Sequence, residues 1–464
     1  MKICISIFAG TALLICSGCG GSSLTGALPP QNPSPTTQNQ WTWAAGSNIA
    51  NQSGTYGTLG TPAASNTPGG RDGAVSWTDE SGNFWLFGGI ANPSPTADNY
   101  FNDLWKYSAG QWTWMGGSSG YNQAGIYGTQ GTAAPGNVPG ARFSAVRWKD
   151  ASGNLWLFGG IGLDANGSSE FLNDLWEYSA GQWTWIGGSN VGIPNQPGVY
   201  GTEGTAAPGN IPGARSYAVS WTDASGNFWL FGGSGFDSNG AVGNLNDLWK
   251  YSGGEWAWMG GANVANQPGT YGVQGTAAPG NTPGARFGAA AWTDTAGNFW
   301  LFGGSSGTNT FTPLNDLWKY SAGQWTWISG SSAPDQNGVY GTLGVAAVAN
   351  TPGARVLAVT WTDAAGNLWL FGGDGYDSAG RVDELNDVWN YSAGEWTWIG
   401  GSNVAGQKGT YGTLGSAASS NAPGGRSQAV GWTDASGHFW LFGGLGYDLA
   451  GSLGQLNDLW MYEP

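Results

Sequence analysis

The chain has 464 residues, a net charge of −15 and a charged fraction of 9%, against ~25% in ordinary globular proteins. With only 14 Lys and Arg in that length, no basic cluster exists to neutralise a phosphate backbone, which excludes nucleic acid as a partner. The 85 glycines alone would suggest a fibrous or disordered chain, but 30 tryptophans exclude that, because disordered segments are poor in aromatics.

The first element is a targeting segment. "MK" is followed by the apolar run "ICISIFAGTALLI" and then "CSGC", a layout too short to span a bilayer and typical of a secretory signal. The stretch resembles a bacterial lipoprotein signal. That resemblance implies removal of residues 1–18 and a lipid on Cys19, with Cys16 departing from the usual Leu three positions earlier. It also implies an exported protein anchored to the cell envelope, touching the membrane only through that lipid. Cys4, Cys16 and Cys19 are the only cysteines, so the body has neither a disulfide nor a thiol nucleophile. Residues 19–40, rich in Gly, Ser, Pro, Gln and Asn, read as an extended tether.

From residue 41 to 464 the sequence is periodic. A Gly/Pro-rich segment of about twenty residues, such as "QPGTYGVQGTAAPGNTPGAR", ends at Arg71, Arg142, Arg215, Arg286, Arg355 and Arg426. After each arginine comes an alternating run, as in "FSAVRWKD", then a tight turn, then "LWLFGG" or a close variant. A variable stretch follows, then "NDLW" or "NDVW", and finally "WTW" or "WAW". Five tryptophans per repeat over six repeats account for all 30. Four short strands per repeat, with period-2 alternation and turn residues between them, predict an all-β propeller of six blades. The chain starts with a lone "WTW" at Trp41 and ends at "NDLWMYEP" without one. Residues 41–46 are therefore expected to complete the last blade and close the ring, removing its open edge.

The paired glycines, the tyrosine (Tyr107, Tyr178, Tyr251, Tyr320, Tyr391, Tyr462) and the tryptophan a few residues beyond resemble the Kelch repeat. The period departs from it. Kelch repeats run about 50 residues, whereas the motif arginines are 69 to 73 apart; the Gly/Pro segment is an insertion placed identically in each repeat. Two enzyme classes with Kelch propellers bear on function. Copper radical oxidases of the galactose oxidase kind need paired histidines and a cross-linked cysteine, and this chain has His438 alone and no cysteine in its body. Exported mutarotases acting on sialic acid share the blade count and need only acid–base side chains, but near-identical repeats leave few unique carboxylates for a paired acid and base.

In an up-and-down blade the 2–3 connections and the inter-blade links share one face, so all long segments are expected there. Loops on a rigid scaffold are where binding usually resides. The inserted segments are nearly identical, so their tyrosines (Tyr56, Tyr127, Tyr200, Tyr271, Tyr340, Tyr411) are read as packing, with sugar platforms as the functional alternative. The 2–3 stretches diverge, and they supply the candidate ligand contacts Asp164, Phe236, Asp237, Tyr376, Asp377, Tyr447 and Asp448. Single carboxylates per loop fall short of the six to eight oxygens of a calcium site. Each motif arginine is expected to pair with the Asp of "NDLW". The alternative, a ring holding a carboxylate or acidic sugar, makes Arg142, Arg215, Arg286 and Arg355 further candidates. The expected function is an exported, monomeric binding module for a glycan or protein, without a cofactor or catalytic residue. An adhesive envelope protein or a sugar-active enzyme are the alternatives.

Overall fold

The computed structural model describes residues 38–91, 99–192, 196–308 and 310–464; the expected signal, and the expected tether as far as residue 37, lie outside them. Six antiparallel blades form in chain order. Blade two shows the pattern fully: Val146–Lys149 pairs with Leu155–Leu163, which pairs with Ser169–Ser179, which pairs with Gln182–Gly187. Blades three, five and six repeat it, with long second and third strands such as Phe228–Phe236 and Val242–Ser252. In blades one and four those strands stay short.

The ring closes as the termini predict. Gln40–Ala45 pairs with Leu453–Glu463, setting Trp41 opposite Tyr462 and Trp43 opposite Trp460. Pairing begins at Gln40, and the Asn39 N–H already reaches the Glu463 carbonyl at 2.6 Å, so the last residues assigned to the tether belong to the blade.

Tryptophans hold the blades to one another. Trp105, Trp176, Trp249, Trp318, Trp389 and Trp460 are fully buried. The first-strand indoles stitch neighbours: Trp432 Nε1 donates to the Trp77 carbonyl at 3.1 Å, and Trp77 Nε1 to that of Trp148 at 3.0 Å. Trp221 instead stacks on Phe299, with ring centroids 3.8 Å apart. The double glycine of "FGG" has a steric cause. At Gly160 φ is +97°, and a Cβ there would stand 2.7 Å from the Phe143 carbonyl oxygen. Only glycine allows the second strand to bulge there and let the first strand's entry approach.

The inserted segments do not pile onto one face, as the blade topology alone suggests. Each folds back along the rim of the blade that follows. Thr55 bridges Thr67 within the first copy, and Ala63 bridges Trp112 on the outermost strand of blade one. In the last copy the contact is a short strand, Ala417–Ala418, on Trp41 and Thr42. The outer strand of a blade is an open edge, and the insertion covers it.

Candidate functional site

Each inserted tyrosine ends in the blade interior. Tyr127 Oη donates to Asp174 Oδ2 at 2.7 Å. Arg142 grips the same carboxylate with two bonds of 2.6 and 2.7 Å, and Trp176 Nε1 adds another at 2.7 Å. The Arg142 Nε–H and a second Nη1 N–H go to the Gly140 and Gly159 carbonyls. The same knot recurs in all six blades, with Arg71, Arg215, Arg286, Arg355 and Arg426 on Asp103, Asp247, Asp316, Asp387 and Asp458. Burial and the adjacent aspartate push the tyrosine hydroxyls far above their ordinary range. Such a pair is sound only because geometry and extra donors satisfy every oxygen. Arg142, Arg215, Arg286 and Arg355, at 1% exposure or less, therefore present no donor to a ligand; the structural pairing holds, and the acidic-sugar ring does not form. The tyrosines are likewise lids on knots rather than platforms.

The aspartates of the 2–3 hairpins also turn inward. Asp164 is 1% exposed. Its Oδ1 accepts the N–H groups of Asn166 and Ser168 at 2.8 Å, and its Oδ2 accepts that of Gly192 at 2.6 Å. Asp237, Asp377 and Asp448 do the same, each clipping a hairpin turn to the inter-blade segment beside it. Burial raises the Asp377 pKa and the backbone N–H groups lower it; the hydrogen bonds win, holding it below the usual carboxylate range. The four sit in four different blades and form no common site. Phe236 is buried edge-on against Phe171. Tyr376 lies beside Asp335, and Tyr447 Oη donates to Asp383 Oδ1 at 2.9 Å. His438 takes the turn place that Asn fills elsewhere, with Nδ1 2.9 Å from Asp434 Oδ2, as Asn83 Nδ2 is from Asp79.

The variable chemistry gathers at the mouth of the central channel. Two residues beyond each motif arginine stand Gly73, Ser144, Tyr217, Gly288, Leu357 and Gln428, all with φ between +52° and +65°. Their backbones form a closed ring. Each N–H donates to the carbonyl of its counterpart in the preceding blade, from Ser144 to Gly73 and round to Gly73 on Gln428, over 2.7 to 3.1 Å. The four non-glycine members accept a strained, left-handed backbone, and the ring of bonds holds them there. Below the ring the channel is lined by alanines, Ala74 to Ala429, round a cavity of about 170 Å³.

At the ring, two unlike arcs face one another. Tyr100, Phe143, Tyr217 and Phe287 run round blades one to four in ring-to-ring contact, at centroid distances of 5.5, 6.0 and 5.9 Å. Opposite them stand Asp374 and Glu384 of blade five, Ser427, Gln428 and Gln455 of blade six, and Asp72 of blade one. Tyr217 reaches across the mouth to Gln428, Oη to Oε1 3.5 Å. Beside this contact opens a cavity of about 470 Å³, whose lining includes Asp72, Phe143, Tyr217, Gln428, Leu445 and Gln455.

The electrostatics of the polar arc are unusual. Asp72 is 4% exposed, and its one described side-chain partner is Gln455 Nε2 at 3.1 Å. Burial pushes its pKa up to about 7, against a small lowering by Gln455. Glu384 is pushed well above the carboxylate range by burial and then by Asp374. Burial and the neighbouring Asp383 raise Asp374 to about 6. Burial raises Tyr217 to about 12. These groups are the ones the sequence reading missed. Its available signal was divergence straight after an invariant arginine (Asp72, Phe143, Ser216, Phe287, Val356, Ser427), set against near-identity before it. Among the described residues no group of three or more His, Cys, Asp or Glu could hold a metal ion.

No protein-family model matches the chain, and no curated protein matches it. Solved structures do. YjhT matches at 14% identity and a TM-score of 0.50, over 85% of this chain and 95% of that one. A fungal alcohol oxidase of the AA5 family in complex with copper matches at 13% and 0.45, over 89% and 77%. A protein of unknown function from Dyadobacter fermentans matches at 8% and 0.45, over 85% and 95%. Identities this low speak to architecture alone. With six four-stranded blades, the double-glycine bulge and closure by the N-terminal strand, the chain is a Kelch-type six-bladed β-propeller.

Proposed function

We propose that this propeller is an exported, envelope-tethered carbohydrate-binding module whose site is the channel mouth. The observation that carries this reading is the pair of facing arcs. Aromatic faces suit the apolar faces of sugar rings, and a few convergent carboxylate and amide oxygens suit their hydroxyls. A cavity of about 470 Å³ is in the range that takes a small ligand. The signal-like first eighteen residues and the lipid expected on Cys19 support a place on the cell envelope.

The test is binding of purified residues 38–464 to a broad panel of oligosaccharides and polysaccharides, with Tyr217→Ala as the control. Selective binding that free sugar competes away, and that Tyr217→Ala weakens with little change in melting temperature, is the expected result. A folded protein that binds no sugar, or one indifferent to Tyr217, would return the weight to a protein ligand or an adhesive role.

One observation favours a second reading, a sugar-active enzyme. Burial pushes the Asp72 carboxyl up to about 7, where a carboxyl can exchange protons at neutral pH. Turnover of a bound sugar that Asp72→Asn abolishes without loss of binding would establish it.

A further inference from the structure

The polar arc has a one-sided chemistry. Asp374, Asp383 and Glu384 of blade five and Asp72 of blade one bring four carboxyl groups to it. The described cation among them is Arg381, which is already bound to Asp383 and half exposed. The lining of the 470 Å³ cavity contains no Lys or Arg, and the six motif arginines are sealed in their knots. A ligand entering here meets acceptors and almost no cationic donors.

A second observation is independent of this crowding. Glu384 is 6% exposed, and its Oε1 accepts the Ser427 hydroxyl at 3.0 Å. Its Oε2 is buried and has no hydrogen-bond partner. An unmet buried carboxylate oxygen is costly, more so than a neutral group would be, and the fold leaves it standing in the field of three other acids. Asp72 has one described side-chain donor, the Gln455 amide on Oδ2 at 3.1 Å. Both groups are held towards the protonated state when the cup is empty, and a proton is the smallest cation that can occupy such a place.

We infer that the ligand bears a free ammonium group: an amino sugar whose ring lies against Phe143 and Tyr217 and whose ammonium is received by Asp72 and the Glu384 arc. This rests on the carbohydrate reading above and narrows it. An ammonium supplies three donors and one positive charge, where the arc itself offers only neutral amide and hydroxyl donors to its carboxyl groups, and the aromatic wall adds attraction to a cation near its faces. Acidic sugars are disfavoured by the same geometry, since like charges repel in a poorly solvated site.

The experiment compares two probes of matched length and linkage, oligomers of glucosamine and oligomers of N-acetylglucosamine. Calorimetry on residues 38–464 would be done at low and at physiological salt. A hydrogen bond from a charged donor into a buried site discriminates by about tenfold or more. The expected result is that preference for the amine form, reduced by salt, and lost in Asp72→Asn and Glu384→Gln. Tyr217→Ala should weaken both probes together. Equal or tighter binding of the N-acetylated oligomers overturns the inference while leaving a carbohydrate site in place. An amine preference that survives both carboxyl substitutions also overturns it, because the charge would then be met elsewhere. If neither probe nor any other sugar binds the folded protein, the inference and the carbohydrate reading fall together.

Discussion

Arg71 and Asp72 are consecutive residues with opposite fates. Arg71 enters a knot that recurs in every blade, with two bonds to Asp103 at 2.6 and 2.8 Å. Asp72 turns to the channel mouth, where its counterparts are Phe143, Ser216, Phe287, Val356 and Ser427. In extended chain, successive side chains point to opposite sides, so one step separates the repeated knot from the divergent lining of the channel mouth. The comparison teaches where to look in a repeat protein. Identical positions build the frame, because every blade poses the same packing problem. Positions that diverge next to them are relieved of that duty and can serve a ligand.

The sharpest way to break this contrast is to cut a knot. Arg215→Met would leave Asp247 buried without its main counter-charge, a loss of about 3–5 kcal/mol, visible as a lower denaturation midpoint. The expected cost is similar in whichever blade is chosen. A much milder loss would mean that the knots are ornament and that the frame rests on tryptophans alone.

The mouth should respond to pH rather than to truncation. Burial pushes the Asp72 carboxyl up to about 7 in the folded chain, against about 3.9 when unfolded. Between those values the native state holds a proton that the unfolded chain releases. Stability is therefore highest below about pH 4 as far as this group goes, and is lost as pH rises through about 7, on the order of 4 kcal/mol in all. Asp72→Asn should flatten that part of the profile in melting experiments at pH 5 and pH 8. Parallel profiles for the two proteins would show that Asp72 is better solvated than its surroundings imply.

A subtler cut removes one hydroxyl. Tyr271→Phe takes a donor from Asp316 while Arg286 and Trp318 keep hold of it. A loss of about 1.5–3 kcal/mol is expected, the range for a hydrogen bond to a charged group. Because this tyrosine carries the inserted segment, protease sensitivity should rise between residues 267 and 286 before it rises elsewhere. Unchanged sensitivity would mean that the strand-edge contact, not the knot, pins the insertion.

The smallest effect lies in the channel ring. Gly73→Ala would place a Cβ about the left-handed backbone at φ +61°, 3.0 Å from Ser144 Oγ and 3.1 Å from the Phe143 ring. A cost of about 1 kcal/mol is expected. Leu357→Gly, relieving the same strain at φ +58°, should be close to neutral, since glycine's chain entropy offsets the relief. Denaturation curves would separate the two.

Much of the frame was legible because repetition multiplies a weak signal. A single "WTW" is ambiguous, whereas six in register, with one missing at the end and one spare at the start, specify blades and closure. The pairing of Arg142 with Asp174 was legible for the same reason: equal numbers of isolated opposite charges in an apolar repeat have few other partners. The candidate site was far less visible. Asp164 and Asp377 attracted attention as polar residues in divergent stretches, but a turn followed by a second chain segment uses up both carboxylate oxygens locally. Glu384 lies in one of the same divergent stretches and Asp72 at a divergent step after a motif arginine, but they stand 312 residues apart in sequence, and nothing local joins them.

Blade count, strand order, closing strand and arginine–aspartate pairs each follow from a local period or from counting equivalent residues. The course of the insertions and the set of side chains that share the mouth emerge with the folded ring. The first depends on an open strand edge that exists only once a blade has formed. The second depends on ring closure, which alone brings blade one back beside blades five and six, so that the carboxyl groups of blades five and one and the amides of blade six share a mouth with the aromatics of blades one to four.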